Sequence, residues 1–356
     1  MRTYTRREAV ALAAAAGMAA TAAKGQRNVA DHTRLPRWRG FNLLEKFTLA
    51  GNAPYQERDF DILVGWGFDF VRLPTDYRCW TEAPGKYREE VLKDLDQCIA
   101  FGRARKVHVN LNLHRAPGYC VNPPAEPLNL WAEGPEGEEA RRQFAEQWGM
   151  LARRFRDIPS ADLSFDLLNE PANIPPSVYI RAMKPAIEAI RAVSPNRLIV
   201  ADGLSWGNSP VPEMAPLKVA QSTRGYQPMQ ISHYKASWIR GSDTWPVPTW
   251  PLKVGETVWD KERLRKVQIE PWKALEAMGV GVHVGEWGAF QHTPHEVVLA
   301  WMRDQLGLWK EAGWGWALWN LRGSFGVLES GRADVQYETF QGMKLDRKML
   351  ELLRAN

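Results

Sequence analysis

Residues 107–114 read VHVNLNLH, a strict alternation of apolar and polar side chains. Val107, Val109, Leu111 and Leu113 fall on one face of an extended chain and His108, Asn110, Asn112 and His114 on the other, because successive side chains of a strand point to opposite sides. The apolar face suits packing against helices. The polar face then lines the interior of a barrel whose upper end serves chemistry, and His114, at the C-terminal end of the strand, lies where the sites of such barrels form. His108 and Asn110 are deeper and read as hydrogen-bonded core.

Helical patterns flank this stretch, Glu89 to Lys106 before it and Glu138 to Arg156 after it, and the same rhythm runs from Trp38 onward. Eight strands are predicted, over residues 38–43, 68–74, 107–114, 163–170, 197–202, 220–226, 280–286 and 314–320. Further helical stretches are Ser177 to Val193, Lys261 to Met278 and Glu296 to Ala312. Strands alternating with helices indicate βα units around a parallel sheet, and eight of them predict an α/β fold, a single (β/α)8 TIM barrel. The chain of 356 residues exceeds the roughly 250 typical of such a barrel, so one catalytic domain over residues 24–356 with extended βα loops is expected. Two stretches break the rhythm, Trp206 to Gln221 and Trp238 to Trp259, and are expected as loops over the barrel mouth.

Composition sets limits on function. With 45% hydrophobic and 24% charged residues the chain is ordinary globular material, and no run approaches the roughly 18 apolar residues of a membrane span. The formal charge is +5, of which Arg2, Arg6, Arg7 and Glu8 contribute +2, and the remainder is too weak for a nucleic-acid partner. Seventeen Trp against nine Tyr are more informative, since an indole face packs on the C–H groups of a pyranose as readily as it fills a core. Of three cysteines, Cys98 reads as a buried helix residue, while Cys79 and Cys120 either pair across neighbouring loops or remain free thiols.

The N-terminus carries Arg6 and Arg7, an Ala-rich stretch and an A-x-A site at Ala20, Thr21 and Ala22. This reads as a twin-arginine export signal over residues 1–23, with a periplasmic or extracellular destination and no membrane attachment after cleavage.

Two acids stand at predicted strand ends: Glu170 in LSFDLLNEP and Glu286 in VHVGEWG. Together with RGFNLLEKF, FVRLPTDY, LHRAPG and WALWN, in this order over roughly residues 36 to 330, they resemble glycoside hydrolase family 5, the cellulase-type family. The resemblance implies retaining hydrolysis of β-linked polysaccharide, β-1,4-glucan or a related β-glucan or mannan, by double displacement. Glu170 is then the acid/base and Glu286 the nucleophile, with carboxyls roughly 5 to 5.5 Å apart. It also implies that Arg72 hydrogen-bonds the nucleophile, that Asn169 contacts the sugar 2-hydroxyl, that His114 is the strand-three histidine and that Trp319 floors the sugar at the cleavage point. The plainer alternatives, which the site roles outweigh, are a buried ion pair with Asp166 for Arg72 and a core position for Trp319. Exo-action or transglycosylation on oligosaccharides, and a noncatalytic carbohydrate-binding barrel, are the rival functions.

Strand six departs from the family pattern of His, any residue, Tyr. Aligning Tyr226 with the tyrosine puts Arg224 where His is expected, as a permanent cation near the nucleophile or toward an acidic sugar group, and leaves His233 to line a neighbouring subsite. Aligning His233 and Tyr234 with the motif instead puts Lys235 where Tyr belongs. No phosphate loop, dinucleotide fingerprint or Ser nucleophile elbow appears, so no cofactor is expected. Nor is a metal, since His292 and His295 are loosely spaced and read as an exposed helix start. The expected partner is a polysaccharide or oligosaccharide, bound by a monomer.

Overall fold

The computed structural model describes residues 30–356, so the export-signal reading of residues 1–23 lies outside the described residues. Eight parallel strands form the barrel: β1 (Arg39–Asn42), β2 (Phe70–Asp76), β3 (His108–Ala116), β4 (Leu163–Asp166), β5 (Ile199–Asp202), β6 (Ala220–Gly225), β7 (Val282–Trp287) and β8 (Trp316–Leu318). They pair in sequence order, β8 pairs with β1, and the sheet is closed. Each predicted strand has its counterpart.

Closure needs Gly40. A Cβ there would fall 1.7 Å from the backbone oxygen of Phe70, so only a residue without a side chain lets β1 lie this close to β2.

Outside the sheet lie α1 (Glu57–Trp66), α2 (Glu89–Arg105), α3 (Gly134–Arg154) and α4 (Pro176–Val193). A composite helix, α5, runs through Lys261–Leu264, a π-helical Arg265–Ile269 and Glu270–Glu276, followed by α6 (His295–Ala312) and α7 (Arg347–Arg354). The alternation in β3 is realised as expected, with Val109, Leu111 and Leu113 fully buried in the core outside the barrel wall. On its other face the lower polar groups bond to the neighbouring strand and loop: His108 meets Ala161 O at 3.0 Å and Ser164 Oγ at 2.7 Å, and Asn110 Nδ2 donates to the same Oγ at 2.9 Å.

The two irregular stretches differ from structureless loops. After β5 come only short helical pieces, Leu204–Gly207 and Pro212–Leu217, and within the first Ser205 and Trp206 take left-handed backbone at φ 53 and 58. The second stretch holds a hairpin of Leu252–Val254 against Thr257–Trp259, and Trp250 is anchored by its Nε1 to Asp304 Oδ2 at 2.8 Å. Cys79, Cys98 and Cys120 are all free thiols. No helix among the described residues is long and apolar enough to cross a membrane.

Candidate active site

The site is built on a layer of charged groups at the C-terminal ends of the strands. Arg72, fully buried on β2, spreads its donors over four partners: Nε to Asp166 Oδ2 at 2.8 Å, Nη1 to Asn42 Oδ1 at 3.1 Å and Glu286 Oε1 at 2.5 Å, and Nη2 to Asn169 Oδ1 at 2.9 Å. The two readings of Arg72 are therefore one arrangement. It pairs with Asp166 and with Glu286 at once.

Glu286 faces the barrel axis because β7 slips its register. Val284 aligns with Thr223 of β6, but Glu286, not Gly285, aligns with Arg224, and a matching shift occurs against β8. In regular alternation a residue two positions after Val284 would share its outward direction. The one-residue bulge resets the count, so Glu286 turns inward and Trp287 outward, where it packs on Trp301 and Trp309 of α6. Gly285 absorbs the bulge, since a Cβ there would lie 2.4 Å from Ser222 Oγ and 2.9 Å from Arg224 Nη1.

Glu170 does not lie on its strand. Pairing of β4 ends at Asp166, and Glu170, four residues on, adopts φ 47 in the left-handed region before Pro171. The turn is held from both sides of the peptide: Glu170 N donates to Asp202 Oδ2 at 2.8 Å, and the Tyr119 hydroxyl donates to Glu170 O at 2.7 Å. Its side chain is 16% exposed where that of Glu286 is 4%, so it reaches further into the cleft.

Arg224 lies beneath both acids with no exposed side-chain surface. Nε donates to Glu170 Oε1 at 3.1 Å, Nη2 to Glu286 Oε1 at 3.4 Å and to Asn169 Oδ1 at 2.8 Å, and Nη1 to Asp202 Oδ1 at 3.1 Å and Ser222 Oγ at 3.0 Å. A second contact joins Nη2 to Asp202 Oδ2. All donors are taken by the protein, so of the two expected placements the structure has the cation beside the nucleophile and not turned toward an acidic sugar group.

Two guanidiniums thus serve four carboxyls, Asp166, Glu170, Asp202 and Glu286. Burial and then the negative charge of Glu286 push the Glu170 carboxyl up to about 8, against the pull of Arg224. Burial, followed by the charge of Asp202, pushes Asp166 up to about 7. His114 is driven well below the usual imidazole range by burial, with Arg72 and Arg224 adding to it, and is neutral. Its Nε2 lies 3.1 Å from Asn122 Nδ2 and 3.3 Å from Asn169 Nδ2, and its Nδ1 is 4.0 Å from Glu286 Oε1.

Around this layer stands an aromatic rim. Trp319, half-buried after β8, stacks on His114 with centroids 5.6 Å apart, and Phe47 meets both rings edge-on. Tyr226 directly follows β6 and donates its hydroxyl to Glu286 Oε2 at 3.3 Å, which decides between the two alignments of strand six. His233 packs against the Tyr226 ring, its Nδ1 2.8 Å from Ser232 Oγ, and burial lowers it to about 4. Trp238, 55% exposed, stands against His233, Phe290 and Phe325, and Trp206, 48% exposed, follows β5 with its backbone N–H bonded to Pro171 O at 2.9 Å.

A model of the family Cellulase (glycosyl hydrolase family 5) matches residues 27–324. The chain belongs to that family. This glycosyl hydrolase family 5 protein is a glycoside hydrolase acting on O-glycosyl compounds. Endoglucanase C of Acetivibrio thermocellus is 24% identical to it over 310 residues, covering 79% of this chain and 88% of its own. Cellodextrinase A of Ruminococcus flavefaciens is 23% identical over 260 residues, covering 70% and 73%. A solved structure described as a glycoside hydrolase superposes with a TM-score of 0.84 at 40% identity, over 90% of this chain and 99% of the other. Thermotoga maritima Cel5A, solved with cellobiose, shares the fold at a TM-score of 0.73 and 21% identity, over 89% and 96%.

The structure brings Glu170, Glu286, Arg72, Asn169, His114, Arg224 and Tyr226 into one bonded network and places His233 and Trp319 on its rim. Asp202 was missed, although it closes the predicted fifth strand at the end where barrel sites form. Tyr119 and Asn42 were missed too, and their link to the site through the Glu170 carbonyl and the Arg72 guanidinium leaves no sequence signal. His295 is corrected: it is buried, with Nε2 2.8 Å from Asp346 Oδ2, rather than part of an exposed helix start. No cluster suited to a metal occurs among the described residues.

Proposed function

We propose that the protein cleaves internal β-linkages of a β-glucan or related mannan with retention of configuration, Glu286 acting as nucleophile and Glu170 as acid/base. The observation that carries this reading is the asymmetry of the two acids. Glu286 Oε1 receives two guanidiniums, whereas Glu170 is raised to about 8 and holds a proton at neutral pH. One carboxylate is equipped to attack an anomeric carbon and one carboxylic acid to protonate the leaving oxygen. Both rest on one guanidinium, which supports the close spacing of a retaining pair over the wider gap that leaves room for a water.

In the first step a Glu286 oxygen forms the bond to the anomeric carbon as the glycosidic bond breaks, and the Glu170 proton passes to the departing oxygen. Formation of the ester removes the charge of Glu286, the second of the influences that raise Glu170. Having given its proton to the departing oxygen, Glu170 therefore stays ionised, a carboxylate that takes a proton from water as that water breaks the ester and restores Glu286. Asn169 is positioned by Arg72 and Arg224 to meet a 2-hydroxyl, and Trp319 to floor the ring.

The endoglucanase relative and the exposed Trp206 and Trp238, on the loops after β5 and β6, support an extended chain as substrate. The cellodextrinase relative favours a second reading, action on short oligosaccharides. A rapid early fall in polymer viscosity supports the first, and slow loss of viscosity with short products the second. Export by the Arg6–Arg7 signal and action as a monomer complete the proposal. A 2-fluoro glycoside is expected to label Glu286 covalently, and proton NMR of early products to show retained configuration. Inverted product would refute the mechanism.

A further inference from the structure

We infer that Arg224 and Asp202 form a positioning pair that fixes which oxygen of each acid reacts. The inference rests on the assignment of Glu170 and Glu286 above. Asp202 Oδ2 holds the backbone N–H of Glu170, and Arg224, locked to Asp202 through both terminal nitrogens, holds the Glu170 side chain. Backbone and carboxyl of one residue are thereby fixed by the two halves of one ion pair.

The chemistry follows from what a guanidinium is able to do. It donates only and stays protonated throughout the accessible pH range. Glu170 Oε1, facing Arg224 Nε, must therefore remain an acceptor, and the proton that passes to the leaving group resides on Oε2. Glu286 Oε1 is held by Arg72 Nη1 and Arg224 Nη2, so Oε2, which among the described residues bonds to the Tyr226 hydroxyl alone, forms the bond to the anomeric carbon. An imidazole at this position would be able to exchange its proton with the acid. Arg224 cannot.

The surrounding chain is cut to fit this side chain. A Cβ on Gly207 would fall 2.5 Å from Arg224 Cγ, and one on Gly285 2.9 Å from Nη1. Two glycines on adjacent elements open the volume that the arginine fills. The charges facing Glu170 are those of Glu286 on β7, Asp202 on β5, Arg224 on β6 and Arg72 on β2; among them the carboxylates raise it and the guanidiniums lower it.

The test is kinetic, on Arg224→Lys and Asp202→Asn of the full chain, with thermal unfolding to correct for folded fraction. With Arg224→Lys, kcat is expected to fall about a hundredfold at nearly constant KM, the loss of one aimed donor. The loss should be larger for aryl glycosides with poor leaving groups, which need a well-placed proton, than for activated ones. Asp202→Asn removes a negative charge beside Glu170, so the basic limb of kcat/KM should move to lower pH by about one unit. Wild-type kcat per folded molecule, or an unmoved basic limb with no leaving-group dependence, would overturn the pair's role. Arg224→Lys, which keeps the charge opposite Asp202, decides the matter should Asp202→Asn fail to fold. Full activity in Glu170→Ala or Glu286→Gln would instead sink the acid assignments themselves.

Discussion

Arg72 Nη1 lies 2.5 Å from Glu286 Oε1, and the same guanidinium reaches Asp166 through Nε and Asn169 through Nη2. A lysine carries the charge but presents a single ammonium, without the planar fork that serves these directions together. Arg72→Lys should lower kcat by about 10²- to 10³-fold, the scale of losing an aimed donor, with a smaller change in KM. Steady-state kinetics on a soluble glucan would show it, and an undiminished kcat would mean that Glu286 does not depend on Arg72.

The raised Glu170 sets the alkaline side of the pH profile. Bond cleavage needs its protonated form, whose fraction declines as pH rises through about 8, so kcat/KM should fall tenfold per unit above that point. Removing the charge of Glu286 relieves one of the causes. In Glu286→Gln, carbon-13 NMR of labelled glutamate should find Glu170 titrating at lower pH than in the parent.

Trp206 and Trp238 expose about half of their surface, so trimming them costs the fold little. Trp206→Ala and Trp238→Ala are expected to weaken turnover of a long glucan by roughly tenfold each, the scale of a lost aromatic contact, while leaving small aryl glycosides and the melting temperature nearly unchanged. Equal losses on both substrates would place these rings outside the chain-binding surface.

Barrel closure gives a stability prediction of a different kind. Gly40→Ala drives a methyl group to within 1.7 Å of a backbone oxygen, which no rotamer relieves. A loss of about 3 kcal/mol or more is expected, because overpacking against backbone forces the strands apart. Denaturant titration or failure to obtain folded protein would register it.

The strands of the barrel were legible because each carries its own pattern, as β3 does in its alternation of Val and Leu with His and Asn. The two acids were legible because Asn169, Glu170 and Pro171, and Gly285, Glu286 and Trp287, form short motifs. What lay beyond reach depends on contacts between distant segments. Nothing local distinguishes a strand-end glutamate from one turned out by a left-handed residue and held by Asp202, 32 positions away. The same holds for His295, whose burial is set by Asp346 on the approach to α7. Arg224 was recognised as a departure from the family pattern, but its partners come from the turn after β4, from β5 and from β7, and appear only when the barrel closes.

The bulge at Gly285 makes the site a matter of counting. The same residues laid out in plain two-residue alternation from Val284, without the bulge, would swing the nucleophile into the helical layer, with Trp287 thrust into the cleft. Anyone transplanting this carboxylate into another barrel must therefore carry over the irregularity along with the acid, and must leave a glycine-sized notch beside whatever residue replaces Arg224.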